Sequence, residues 1–362
     1  MAPDSLAPIA PIGVDDLPPT RDARQAWYGP DMLKTDSWVF RLTPTHIAEI
    51  EAAMAPHVAA GRDVATVTRE DFPLPTLGPA LEGILEEMLN GRGFVLMRGL
   101  PVERYSMREA ATAYWGIGMH LGLPRSQNAM GHVLGHVRDL GMSTDDPKVR
   151  IYQTTERQTY HTDSTDIVGL LCLKTAREGG LSSIVSSMTI YNEMRRRRPD
   201  LAAVLFRAFA TDRRGEIPAG KKAYFEIPVF NWHAEYLSVI YARRYIESAR
   251  KLDGVPPLTA EEREALDMFD ALANDYDLRL DMEFKPGDMQ FLHNHTLLHD
   301  RTAYVDWEDP EKKRHLLRLW LCARNARPLP NIYAERYGNI TIGDRGGIIC
   351  DGTTLNAPLD PA

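Results

Sequence analysis

Three cysteines in 362 residues, Cys172, Cys322 and Cys350, are too few and too scattered for a disulfide framework, and none stands in a CxxC pair. Dithiol redox chemistry and thiolate zinc sites are thereby set aside, and a reducing compartment is expected. Also missing is an excess of positive charge, because 42 Lys and Arg face 50 Asp and Glu. That balance supplies no global field for a nucleic-acid backbone, so nucleic acid is not an expected partner. The one basic run, Arg195 to Arg198, precedes Pro199 and reads as the end of a helix, where cations suit the dipole. No apolar run is long enough to span a bilayer. The stretch "MAPDSLAPIAPIGVDDLPPT" has no basic segment and is interrupted by prolines before signal-peptide length, so a cytoplasmic location is the expectation. No repeat of solenoid or propeller period is found.

What is present suits a large folded core, with 44% hydrophobic and 25% charged residues. Residues 1–35, rich in Pro and Ala, read as an extended arm, and residues 36–362 as a single domain. Within it, 36–149 reads as a mainly helical buttress. Thr43 and Pro44 start one helix, "ALEGILEEMLN" is a second ended by Gly91, and Ser106 with Glu109 forms a capping box for a third. "GFVLMRGLPV" is the one buried strand of that part. From 150 to 325 the texture turns to short β runs, among them "VRIYQT", "IVGLLCL", "SSIVSS", "AYFEIPVF" and "RHLLRLWLC". Helical insertions fall near 190–206 and 259–273, and 326–362 is a C-terminal extension. Short strands divided by turn signals predict an α+β protein with a mainly β core, a sandwich or barrel.

Three clusters carry the polar chemistry. In "YHTDSTDIVGLLCLK", His161 and Asp163 are two residues apart and, on a strand, would share a face; the alternative is a polar turn. In "PGDMQFLHNHTLLHDR", His293, His295 and His299 crowd together, either as core histidines or as the source of a third ligand. A 2-His-1-carboxylate set would follow, with coordination positions left open as in non-haem Fe(II) oxygenases. Zinc hydrolysis is the competing metal reading, but Thr296 stands where the general-base glutamate beside His295 is needed. In "EKKRHLLRLWL", Arg314 and Arg318 would share one strand face, which calls for anions to meet them, or for salt bridges at a sheet edge. His132 and His136 form a further i, i+4 pair without a third ligand.

The ordered set HxD, GG-x-Ser, PGD, Asn-x4-His-x-Arg and Arg-x3-Arg resembles the Fe(II)/2-oxoglutarate-dependent dioxygenases typified by taurine dioxygenase and chlorophenoxyacetate dioxygenase. The resemblance covers about Phe94 to Leu321. It implies a double-stranded β-helix, or jelly roll, of cupin-like form with flanking and inserted helices, two of which would cover the mouth. His161, Asp163 and His299 match its iron ligands, which leaves His293 and His295 to structure. Arg314 matches the arginine that grips the far carboxylate of 2-oxoglutarate, and Ser182, with Ser183 as its rival, falls where the family has a threonine on the same group. Arg318 sits where family members hold the acidic group of the substrate. Gln127 and Asn128, in a region that lines the substrate mouth in the family, are candidate substrate contacts.

The cofactors implied are Fe(II), 2-oxoglutarate and O2, and the expected reaction is hydroxylation of an unactivated C–H bond in a small anionic molecule, such as an amino acid or organic acid, with release of succinate and CO2. Desaturation and oxidative cyclisation use the same cofactors. Asp163 argues against the related halogenases, which lack that carboxylate. A protein side-chain hydroxylase would use the same ligands but should show a docking groove, and an inactive binding module would lack a ligand or the arginine. The aliphatic and aromatic content of the helical part leaves room for a homo-oligomer.

Overall fold

The computed structural model describes residues 12–22, 24–143 and 149–361, so residues 1–11 of the expected arm lie outside the described residues. In chain order the strands of the two main sheets are β1 (Val39–Arg41), β2 (Phe94–Arg98), β3 (Leu123–Pro124), β4 (Leu134–Val137), β5 (Gln158–His161), β6 (Ile167–Lys174), β7 (Ser182–Ser186), β8 (Leu280–Met282), β9 (Met289–His293), β10 (Leu297–Arg301) and β11 (His315–Cys322). The larger sheet runs β1-β2-β9-β6-β11-β3, with β4 also on β11; the smaller runs β8-β7-β10-β5. All these pairings are antiparallel except β1 with β2. The two sheets make a double-stranded β-helix, a jelly roll with a mixed larger sheet.

Period-two alternation sorts the side chains of the larger sheet. In β6, Ile167 and Leu171 join the core shared with the helices, whereas Val168 and Cys172 join the core between the sheets. In β11, Leu317, Leu319 and Leu321 face the helices, and Leu316 and Trp320 face inward. Arg318 shares that inner parity and lines the interior cavities.

The helical buttress consists of α1 (Pro44–Ala59), α2 (Leu77–Asn90) and α3 (Met107–Leu121). Thr43 caps the first through the His46 amide at 3.2 Å, and Ser106 and Glu109 form the expected box on the third. The first third also supplies β1, β3 and β4 to the larger sheet, which corrects the reading of one buried strand there; these short pieces lack an alternating apolar pattern long enough to register. Segment "VRIYQT" is likewise not a strand. Arg150 and Gln153 close it on itself, with the Gln153 amide donating to Arg150 O at 2.9 Å and the Arg150 amide to Gln153 Oε1 at 2.9 Å.

On the far face of the smaller sheet lie α4 (Ser187–Arg197), α5 (Pro199–Val204), α6 (Arg243–Ala249) and α7 (Ala260–Ala273). The basic run does end α4, and Glu193 takes Arg196 at 2.5 Å and Arg197 at 2.7 Å. The expectation that the two helical insertions cover the mouth is corrected: α4, α5 and α7 bury their apolar faces in a core behind the sheet. The hairpin Ala208–Asp212 with Tyr224–Pro228 and the start of α6 line the interior cavity instead. Ile12, Leu17 and Ala26 pack on this side too, whereas Trp27 joins the core between the sheets, its indole N–H donating to Arg92 O at 2.8 Å.

Two chain crossings between the sheets run side by side, β5 to β6 and β9 to β10. Asp166, fully buried in the first, accepts from His295 Nε2 at 2.9 Å, Arg345 Nε at 2.9 Å and the Ala323 amide at 3.1 Å. One carboxylate thus ties together three segments distant in sequence. Replacing Asp166 by Ala leaves Arg345 and His295 without their acceptor inside the core, and a loss of about 3–5 kcal/mol is expected; thermal or urea unfolding of the variant measures it.

Candidate metal centre

His161 closes β5, and His299 lies opposite it on β10 as its register partner. Two residues of β5, Thr159 and Tyr160, stand opposite one of β10, Asp300, a bulge that turns both Gln158 and His161 toward the interior. Asp163 does not share a strand face with His161, because the strand ends before it; this corrects the i, i+2 argument. Asn294 holds it instead. The Asp163 amide donates to Asn294 Oδ1 at 2.8 Å, and Asn294 Nδ2 donates to Asp163 O at 2.5 Å and Thr165 O at 2.9 Å.

Ligand atoms of His161, Asp163 and His299 all lie within 4.8 Å of one another. The Nε2 atoms of both histidines stand 3.7 Å from oxygens of Asp163. Thr159 O accepts from His161 Nδ1 at 2.9 Å, which turns the Nε2 lone pair inward; the Gln158 amide donates to it at 2.8 Å, a bond a metal would replace. Burial, then the neighbouring His161, push the His299 pKa down to about 3, so its imidazole is neutral. Burial alone would raise Asp163, but Arg318, His299 and His161 hold it below the usual carboxylate range. Neutral imidazoles and an ionised carboxylate are the forms a cation binds. Trp320 Nε1 donates to Asp163 Oδ2 at 2.8 Å, fixing the carboxylate's rotation.

His293 and His295 take no part in this cluster. His295 serves Asp166, its pKa lowered by burial to about 4, and His293 Nδ1 meets Thr296 Oγ1 at 3.1 Å. The other pair separates as well: His136 Nδ1 meets His315 Nε2 at 2.8 Å, and its Nε2 meets Pro358 O at 2.9 Å.

Beside the three ligands a small cavity is lined by His161, Ser182, His299, Arg301, Arg314 and Arg318, among others. Arg314 is buried and faces the Tyr304 ring at 5.2 Å, and its Nη1 has no hydrogen-bond partner among the described residues. Burial lowers its pKa. A buried guanidinium with an unmatched donor calls for an anion. Gly180, at φ +66°, lets the chain pass close, since a Cβ there would stand 3.0 Å from Arg314 Nε. Ser182 lines this cavity, whereas Ser183 is engaged by Tyr160 and by Asp281 Oδ1 at 2.6 Å.

A second, larger cavity opens on the other side of His161 and Asp163, and Arg318 borders both. Its guanidinium lies between the rings of Tyr152 at 4.7 Å and Trp320 at 5.2 Å. Gln127 borders the larger cavity, but its amide is committed to Arg318 Nε at 2.7 Å, Arg318 O at 2.9 Å and Val133 O at 3.2 Å; it positions Arg318. Asn128 is outside the lining and caps its own loop, its Oδ1 accepting from the amides of Met130 and His132. Sequence reasoning missed Gln158, Trp320 and Arg336; for Trp320 the signal was there, two residues beyond Arg318 on the same face.

Two histidines and one carboxylate around a buried point, with an arginine-lined cavity beside them, define a mononuclear Fe(II) oxygenase that uses a 2-oxoacid. The chain belongs to the family described as "Taurine catabolism dioxygenase TauD, TfdA family", whose profile matches residues 57–320. It is 32% identical over 321 residues to FR-33289 synthase of Streptomyces rubellomurinus, across 87% of this chain and 94% of that protein. Uridine-5'-phosphate dioxygenase of a Streptomyces species is 29% identical over 254 residues, covering 64% of this chain and 86% of the relative. Among solved structures, an asparagine oxygenase complex with Fe(II), 3-hydroxyasparagine and succinate superposes with a TM-score of 0.60 at 16% identity, over 78% of this chain and 93% of that one. The protein is an Fe(II)/2-oxoglutarate-dependent dioxygenase, and its cofactors are Fe(II), 2-oxoglutarate and O2. No helix among the described residues is long and apolar enough to cross a membrane.

Two variants separate the histidines. His299→Ala is expected to abolish stoichiometric Fe(II) binding, while His295→Ala retains it in whatever fraction stays folded, as read by metal content of the purified protein. Trp320→Phe removes only the hydrogen bond to Asp163, and an Fe(II) affinity about 10–100-fold weaker is expected from competitive chelator titration.

Proposed function

We propose that this dioxygenase hydroxylates an unactivated C–H bond of a small anionic molecule bound in the larger cavity, with His161, Asp163 and His299 as the iron ligands. One observation carries the anionic reading: of the arginines that line that cavity, Arg243 and Arg150 have carboxylate partners of their own, but among the described residues Arg336 has none and Arg318 has only Asp163, a candidate iron ligand, at 3.8 Å, which leaves an excess of positive charge on the lining. An uncharged or cationic molecule would leave this excess unmet. One relative is named for uridine-5'-phosphate, an anion, and the crystallised neighbour holds 3-hydroxyasparagine, an amino acid; both are small and polar, as the cavity requires.

Bound Fe(II) and 2-oxoglutarate activate O2, so that loss of CO2 from the cosubstrate drives attack on the C–H bond. The chain's own residues do the placing. Arg314, with Ser182 beside it, anchors the far carboxylate of 2-oxoglutarate in the small cavity. Arg318, flattened between Tyr152 and Trp320 and steadied by Gln127, stands on the wall between the cavities and holds the acidic group of the substrate. The apolar side chains Phe225, Ile227, Val229 and Ile240 wall the larger cavity and limit water around the reacting carbon.

Anaerobic addition of Fe(II) and 2-oxoglutarate is expected to give the visible charge-transfer band of the chelated cosubstrate, and folded protein without the band would refute the assignment. In the same assay Arg314→Ala should weaken 2-oxoglutarate by about tenfold or more, with Arg318→Ala close to the unaltered protein. A screen of small acids for succinate release then identifies the substrate, and its KM should rise in Arg318→Ala. Equal effects of both substitutions on both molecules would show the two roles are not divided between these arginines.

A further inference from the structure

We infer that the larger cavity contains a second oxyanion site, formed by Arg336, Arg150 and the hydroxyl of Ser164, which takes a phosphate- or phosphonate-type group of the substrate. The inference rests on the reading of this cavity as the substrate site, and it names the substrate class more closely.

Arg336 lies on the short helical turn Ala334–Tyr337, past residue 320, where the family match ends. It therefore lies outside the segment that the family profile matches. The C-terminal segment returns across the cavity and places the guanidinium against the crossing that carries Asp163: Arg336 Nε donates to Ser164 Oγ at 2.7 Å, and its plane lies 5.5 Å from the Phe225 ring. Among the described residues it makes no ion pair with a carboxylate. Burial lowers its pKa, and the charges beside it are those of Glu216 and Arg150.

Arg150 approaches from another segment. Its Nη2 meets Glu216 Oε2 at 2.5 Å, and its Nη1 donates to Tyr245 Oη at 3.4 Å. Glu216 is thus taken by Arg150, and the charge of Arg336 beside them has no carboxylate of its own among the described residues. The other cavity arginines with clear partners are engaged elsewhere. Arg243 has Glu247, Asp267 and Asp270 within 3.1 Å, and Arg213 donates to the Lys222 and Glu335 carbonyls at 3.1 and 2.5 Å. Ser164 is buried, and its oxygen accepts from Arg336, so its hydroxyl hydrogen is left to donate toward the cavity.

The donor set decides the chemistry. A planar carboxylate satisfies one guanidinium fork, whereas the unpaired guanidinium of Arg336, the hydroxyl bonded to it and the second positive charge of Arg150, from a separate segment, match a tetrahedral anion with three terminal oxygens and a charge near minus two. Arg318 is a separate anchor, because it sits against Asp163, with Nη1 3.8 Å from Oδ2, and its Nε is held by Gln127.

Calorimetric titration of inorganic phosphate into the whole protein, both alone and loaded anaerobically with Fe(II) and 2-oxoglutarate, tests the site. Saturable binding is expected, weakened about tenfold or more by Arg336→Gln and by Arg150→Gln, restored in part by Arg336→Lys, and little changed by Arg318→Gln. Acetate should bind far more weakly than phosphate. No saturable phosphate binding, or binding that survives Arg336→Gln and is lost in Arg318→Gln, would overturn the proposal. The charge-transfer band, recorded on the same samples, reports on the cofactor reading and on the integrity of each variant. A normal band without phosphate binding rejects the oxyanion site alone; Arg336-dependent phosphate binding without the band rejects the cofactor reading alone.

Discussion

A carboxylate beyond the end of a strand, as Asp163 is in the candidate metal centre, has no ladder of backbone hydrogen bonds to fix it, and the side chain of Asn294 supplies one. Its amide accepts from the Asp163 backbone and donates to the Asp163 and Thr165 carbonyls, so that two crossings between the sheets behave as paired strands for a few residues. Behind it, Asp166 draws in His295 and Arg345. The positions of His161, on the first crossing, and His299, on the strand that follows the second, are consequences of that clamp. Loosening it would free Asp163 from its place beside the two histidines, which are register partners on the smaller sheet.

The larger sheet adds a second constraint. β11 must present leucines to the helices and arginine and tryptophan to the interior, and period-two alternation does both with one segment. Leu317, Leu319 and Leu321 anchor the strand in the helical core, which is what permits Arg318 and Trp320 to be held rigidly beside Asp163. Placing the recognition residues on a central strand rather than on a loop restricts their motion. It also means that substrate preference is altered more readily through the segments facing them, 150–153, 211–246 and 334–348, than through β11 itself.

Much of this was legible in the chain. The helix start at Thr43 and Pro44 and the capping box at Ser106 act within a turn, so they were readable without knowledge of the fold. The buried runs of β6 and β11 were equally plain. The three candidate metal ligands came from the ordered motifs, and the fold brings them together in space. What escaped depends on distant partners. The bulge in β5 exists only relative to β10, the turn at Ile151 only because Arg150 and Gln153 close on each other, and the lining of the mouth only because α4, α5 and α7 find a better apolar surface behind the smaller sheet. Asn128 looked like a substrate contact because a polar residue in a glycine-rich loop has the same composition whether it faces a cavity or caps its own turn.

In chain order, the three ligands and Arg314 all precede Arg336 and Ile348, which close one side of the larger cavity. A growing polypeptide therefore has every metal-binding group in hand while that wall is still to be synthesised. Until the final segment folds across, a metal at this point would face water and small solutes rather than a walled cavity. The segment that borders the larger cavity is thus also the one that covers the candidate centre on that side.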